Sequence, residues 1–281
     1  MENIGIENYL LAFLLTLFAG LSTSIGAVIA FFSKLRTEKF LSLGLGFSAG
    51  VMVYVSFVEI LKKSTDSFNS IYANEITAEA LSLLCFFSGI ALSAIIDRLV
   101  PEDVNPHEPK AQTELDELKP ENKNSIISNS ALKRTGLFTA LAIGIHNFPE
   151  GFATFISSLD DITLGIPIAF AIAIHNIPEG MAVSLPIYHA TGEKKKAFWY
   201  ATLSGFAEPV GAILGFFLLY PIMGEATLGI TFGAVAGIMV YISFDELLPA
   251  ARVYGNAHTT ILGLVFGMFI MAISLVAFKT I

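Results

Sequence analysis

The sequence predicts an all-α polytopic membrane protein, with eight transmembrane helices in a 3+2+3 inverted-repeat arrangement. Three observations carry that prediction. The 281-residue chain is 54% hydrophobic and only 14% charged, whereas soluble domains carry about a quarter charged residues. Its apolar residues gather in runs of about 20, the length that crosses a hydrocarbon layer. One twelve-residue string also recurs in two spans expected to cross in opposite directions.

Taken in order, the spans are expected at about 7–32, 41–61, 79–97, 136–157, 164–189, 197–220, 227–248 and 259–278. They should be helices, because lipid offers no partner to an open backbone. A barrel would show short alternating strands, and none appear. Glu2 and Glu7 precede the first run where a signal peptide would carry basic residues, so that run is expected to be retained. The lone Cys85 cannot form an internal disulfide. A net charge of -8 argues against nucleic acid as a partner.

One membrane domain, 1–281, is expected, and one long loop, 98–134, interrupts it. That loop is rich in Glu, Asp, Lys, Asn and Pro, and reads as cytoplasmic and largely disordered. It holds a single histidine, His107, beside Glu102, Asp103 and Glu108, which reads as a solvated linker rather than a metal-collecting tract.

Basic residues set the orientation. With the N-terminus outside, 13 of the 16 Lys and Arg fall on the inner side, among them Lys34, Arg36, Lys39, Arg98, Lys194, Lys195, Lys196 and Arg252. Only Lys62, Lys63 and Lys279 fall outside. Both termini are therefore expected outside a cell membrane, with the lipid bilayer as the surrounding partner.

The repeat comes next. Residues 50–61 read GVMVYVSFVEIL and residues 237–248 read GIMVYISFDELL, identical at eight of twelve positions. Gly20, Gly26 and Ala27 of span one match Gly205, Gly211 and Ala212 of span six more faintly. Inverted repeats of this kind are a mark of transporters with a midplane site.

The central spans carry the chemistry. His146-Asn147-Phe148-Pro149-Glu150-Gly151 is followed by His175-Asn176-Ile177-Pro178-Glu179-Gly180. Each places a His and a Glu four residues apart on one helix face. Ionisable groups at membrane depth need a partner, a metal or water. Glu208 of span six adds a third carboxylate, and its aligned position in span one is Thr23. Imidazole, carboxylate and amide oxygen together suit Zn²⁺, Fe²⁺, Mn²⁺ or Co²⁺ better than Mg²⁺ or Ca²⁺. Pro149 and Pro178 free the carbonyls of Ile145 and Ile174 and suggest a kinked, cavity-lining helix. The glycine after each Glu allows the paired helices to approach closely. Met52 is the better placed of the paired methionines Met52 and Met239 to reach the central pair, although Met is more often packing.

Several groups stay outside this set. His189 reads as interfacial and His258 as solvated. Glu59, Asp245 and Glu246 lie toward span ends, where they either recruit cations or reach water. Asp97 and Arg98 read as an end-of-helix pair. An intramembrane metallohydrolase would use His-Glu-x-x-His, which is absent, and would need a tightly held metal with an open water position. A cation/proton exchanger is the nearer alternative. The chain is not expected to be an enzyme, and no resident cofactor is expected, since the metal would be cargo.

HNFPEG, HNIPEG, the AEPVG of span six, the GIMVYISFDEL of span seven and the TGEKKKA after span five resemble the ZIP family of divalent metal transporters, within it the bacterial zinc-uptake branch, over essentially the whole chain. The resemblance implies eight helices, both termini outside, and a binuclear site between helices four, five and six. It implies a first metal position at His146, Glu150, His175 and Glu179. The second would be formed by Asn147, Glu150, Asn176, Glu179 and Glu208, with Glu150 and Glu179 bridging. It adds Met52 as a contact to the first metal. It also implies zinc as chief cargo, with iron, manganese, cobalt and cadmium accepted, moving toward the cytoplasm. One departure stands out: the His-rich loop of many eukaryotic members is missing. A homodimer is compatible with the sequence.

Overall fold

The computed structural model describes residues 5–31, 38–99, 129–219, 222 and 224–278. Among these every regular element is helical. They are α1 (Ile6–Ala30), α2 (Glu38–Val55), α3 (Leu61–Asn69), α4 (Glu75–Leu99), α5 (Asn129–Asp160), α6 (Ile162–Thr191), α7 (Lys194–Gly205), α8 (Ala207–Leu219), α9 (Glu225–Ile242), α10 (Leu248–Tyr254) and α11 (Ala257–Phe278). One π-turn, Ser56–Ile60, joins α2 to α3, and another, Ser243–Leu247, joins α9 to α10.

Seven helical runs among the described residues are long and apolar enough to cross a membrane. They are α1, α2–α3, α4, α6, α7–α8, α9–α10 and α11. The fourth expected span is α5, which is helical over 32 residues but does not count among the seven. Several of its side chains lie outside the described set. Exposed Leu, Ile, Val and Phe cover the outside of the bundle, as in Phe217, Leu218, Leu262 and Val276, which is the pattern of a surface solvated by lipid.

The boundaries differ from those expected in four places. The second run extends to Asn69, so Lys62 and Lys63 lie in α3 rather than in a loop, and Lys63 is buried. Helix covers residues 98–99 and 129–134 at the edges of the expected loop, whose remainder, with His107, lies outside the described residues. A single residue, Asp161, joins α5 to α6, and its carboxylate accepts the Thr163 N–H at 2.9 Å as an N-cap. The sixth span is broken at Phe206. Pro209 explains the break, since it has no N–H to offer the Gly205 carbonyl. Pro149 and Pro178, by contrast, sit inside continuous helices.

Glycine sets the helix packing, and the contacts come in matched sets. A Cβ on Gly26 would lie 2.0 Å from Ile177 O, and one on Gly180 1.9 Å from Thr23 O, where α1 crosses α6. A Cβ on Gly211 would lie 2.0 Å from Phe148 O, and one on Gly151 2.1 Å from Glu208 O, where α8 crosses α5. The flanking positions 23/208 and 26/211 differ by 185, and the central positions 148/177 and 151/180 differ by 29. Gly20 and Gly205, again 185 apart, meet each other directly. The glycines that follow Glu150 and Glu179 therefore bring the central helices against α8 and α1, not against one another as the sequence suggested.

The outer pairs repeat the pattern. Gly50 faces Leu264 O and Gly237 faces Phe86 O; Gly267 faces Phe47 O and Gly89 faces Ala234 O. Contacts at 43–263 and 47–267 advance together, so α2 and α11 run in the same direction. Ser64 lies against Gly233 while Phe68 lies against Gly229, so α3 and α9 run oppositely. The two copies of the twelve-residue string are thus antiparallel. Both contain a π-turn starting at their seventh residue, and in both the serine there bonds back to the methionine carbonyl at 2.7 Å, Ser56 to Met52 and Ser243 to Met239. A π-turn inserts one residue into a helix and is frequent at functional sites.

Candidate metal centre

Four elements meet at the centre of the bundle: α1, α5, α6 and α8. The side chains of Asn147, Glu150, His175, Asn176, Glu179 and Glu208 are all fully buried there. His175 Nε2 lies 3.0 Å from Glu150 Oε1 and 3.9 Å from Glu179 Oε1, the latter one helical turn along α6. The structure therefore brings both motifs together through His175. The side chain of His146 lies outside the described residues, although its backbone is part of α5.

The two asparagines are held alike. Asn176 donates through Nδ2 to Ala19 O at 2.9 Å, and Asn147 donates through Nδ2 to Ser204 O at 3.3 Å. Positions 19 and 204 again differ by 185, and 147 and 176 by 29. Each amide spends its NH₂ on a neighbouring main chain. Asn147 Oδ1 and Asn176 Oδ1 accept no hydrogen bond among the described residues, nor do the Glu150 oxygens. Buried oxygens of this kind normally find a donor. A cluster of them turned inward is suited to a cation.

Glu208 departs from the symmetry. It sits in the first turn of α8, just after the break at Phe206. There the helix dipole favours a carboxylate, and the side chain also accepts a hydrogen bond from Asn176 Nδ2. At the matching position of α1, Thr23 is buried, and its Oγ1 has no hydrogen-bond partner among the described residues.

Ser48 was not singled out in the sequence. Its Oγ donates to His175 O at 2.8 Å and ties α2 to the centre. The repeat and Met52 pointed toward α2, but neither marked position 48. Met52 lies one turn beyond Ser48 on α2 and is fully buried. Among the described residues no three His, Cys, Asp or Glu groups are gathered tightly enough to enclose an ion. Of the remaining candidates, Glu59 is buried, at 6% exposure. Asp245 and Glu246 are half-buried, Arg98 and His258 are exposed, and the side chain of His189 lies outside the described residues.

A multi-pass helical bundle with carboxylate, imidazole and amide groups buried at its centre is the arrangement expected of a membrane protein that handles ions. The chain belongs to the ZIP family: the model of the ZIP zinc transporter family matches residues 100–275. Similar proteins include the zinc transporter ZupT of Campylobacter jejuni, 61% identical over 96% of this chain and 97% of that protein. The ZupT proteins of Clostridium perfringens (54%, covering 98% of each chain) and Streptococcus mutans (57%, covering 95% and 97%) are also alike.

Proposed function

We propose that this protein carries Zn²⁺, and with it Fe²⁺, Mn²⁺, Co²⁺ and Cd²⁺, into the cytoplasm through a binuclear site between α5, α6 and α8. The observation that carries this reading is the set of fully buried carboxylates and amide oxygens around His175. His146, Glu150, His175 and Glu179 form the first position, with Met52 beside it. Asn147, Glu150, Asn176, Glu179 and Glu208 form the second. Imidazole and carboxylate ligands bind a metal in their deprotonated forms, so metal entry is coupled to proton release. The printed names of the relatives support zinc as the cargo. The chemistry is transport, not catalysis.

The bundle is read as eight spans, with α5 as the fourth, in a 3+2+3 inverted repeat. The constant offsets of the glycine contacts, the paired asparagines and the matched π-turns support it. Both termini lie outside the cell membrane, and the connection between α4 and α5 lies on the cytoplasmic side of one domain. Transport follows as a carrier cycle in which the central helices move against the flanking ones.

The test is uptake of competing metals by purified protein in liposomes under an imposed pH gradient. Saturable zinc accumulation with a matching proton signal is expected. Flux that never saturates sinks the carrier reading, and the absence of any metal flux sinks the function. In the same assay His107→Ala is expected to retain uptake within about two-fold, because a single histidine gathers little metal. A ten-fold loss would show that the connection takes part.

A further inference from the structure

Buried polar residues continue away from the centre on two helical runs. On α5, Thr154 and Ser157 follow Glu150 at one and two turns, both buried. The Ser157 Oγ finds no hydrogen-bond partner among the described residues. On the α2–α3 run, which meets α5 at Lys63–Asp160, Ser56, Glu59 and Lys63 follow Met52, and all are buried. The two runs end at an open pocket of about 350 Å³. Five acids line it, namely Glu59, Asp66, Asp160, Asp161 and Glu225. Lys62 and Lys63 are its basic groups.

Lys63 is unlike an ordinary lysine at a membrane edge. It is only 8% exposed, although such side chains normally reach for water. Its ammonium lies 2.8 Å from Asp160 Oδ2 on α5, and 5.5 Å from the ring centroid of Phe232 on α9. One side chain thus joins three elements: α3, the end of α5, and α9. It also places a fixed positive charge between an acidic mouth and the buried polar residues that run toward Glu150. A buried ammonium is costly to hold unless it is paired, and the Asp160 pairing meets that need.

We infer that Lys63 is a tethered counter-cation that closes this mouth: while it is bound to Asp160 it occupies the place an arriving divalent cation must take, and its release opens the way to the centre. This rests on the uptake reading above. The ammonium offsets the field of the acids and so sets the local concentration of divalent ions. The ion pair also holds α5 against α3 and α9, so breaking it loosens the mouth. Lys63 is a positioning and selectivity residue in this role; it touches no metal at the centre.

Two readouts test it in proteoliposomes: zinc uptake kinetics, and the rate at which a thiol reagent modifies Ser157→Cys placed in a Cys85→Ser background. Lys63→Met leaves the mouth more acidic and is expected to lower the apparent KM about ten-fold. Asp160→Asn frees the ammonium in a less acidic mouth and is expected to raise KM by about the same factor. Either change is expected to speed modification of Ser157→Cys about ten-fold, by the loss of the latch. The exchange Lys63→Asp with Asp160→Lys is expected to restore both values to within about two-fold. KM shifts of one sign, or unchanged KM and labelling in both single variants, overturn the inference. If the unaltered protein moves no zinc, the uptake reading fails, and the labelling rates alone decide the latch.

Discussion

Glu179→Ala abolishes zinc uptake and leaves the protein folded. The carboxylate is fully buried, one turn from His175 on the same face of α6, and within 3.9 Å of its Nε2. In the proposed site it bridges both metal positions, so its removal weakens two at once. Loss of even an outer-sphere partner of a metal costs ten- to a hundred-fold in affinity or activity. A shared direct ligand is expected to cost on the order of a hundred-fold or more in uptake. Stability should not follow, because burying a carboxylate is itself unfavourable and an alanine relieves it. The measurement pairs zinc uptake into liposomes with a thermal melt of the same preparation. A folded variant with uptake within two-fold of the parent would refute the role of Glu179.

Gly180→Ala should have the opposite profile: the fold fails before the chemistry does. The added Cβ would lie 1.9 Å from Thr23 O, a main-chain oxygen of α1 that cannot rotate aside. Helices in lipid associate through close backbone contact at small residues, without a hydrophobic drive to replace it. Overpacking a filled interior costs about 1–3 kcal/mol where side chains yield, and here none can. A large drop in the melting temperature and in the yield of monodisperse protein is expected. Gly151→Ala should behave alike, since its Cβ would meet Glu208 O at 2.1 Å. Gly224→Ala is the control, with nothing within 4 Å and an extended φ of -175. Equal melting of the Gly180 and Gly224 variants would remove glycine contact as the basis of the packing.

The polytopic helical class and the duplicated motifs were legible in the sequence because both rest on local pattern. A run of apolar residues declares itself, and HNFPEG and HNIPEG place ligand types four residues apart without any knowledge of the fold. The twelve-residue repeat was equally plain. Its π-turns were not, because nothing in SFVEI or SFDEL distinguishes a π-turn from an α-turn. The break at Phe206 was half legible: Pro209 marked it, but Pro149 and Pro178 lie in continuous helix, so proline alone does not decide. Ser48 and the Lys63–Asp160 pair escaped because each depends on residues about 100 or more positions apart in the chain. Lys63 in particular read as an outer loop charge, since charge predicts exposure until a partner is in view.

The matched contacts have one further consequence. Two halves related by a perfect two-fold would make the inward-open and outward-open forms of a carrier rotation-related copies of one another, equal in energy and equally occupied. Thr23 opposite Glu208 removes that degeneracy. The negative charge enters from one half only, beside the broken helix, so in the proposed cycle the two open forms would hold the same cargo with different strengths. In the proposed carrier cycle, that difference gives the molecule a preferred resting side before any gradient is applied.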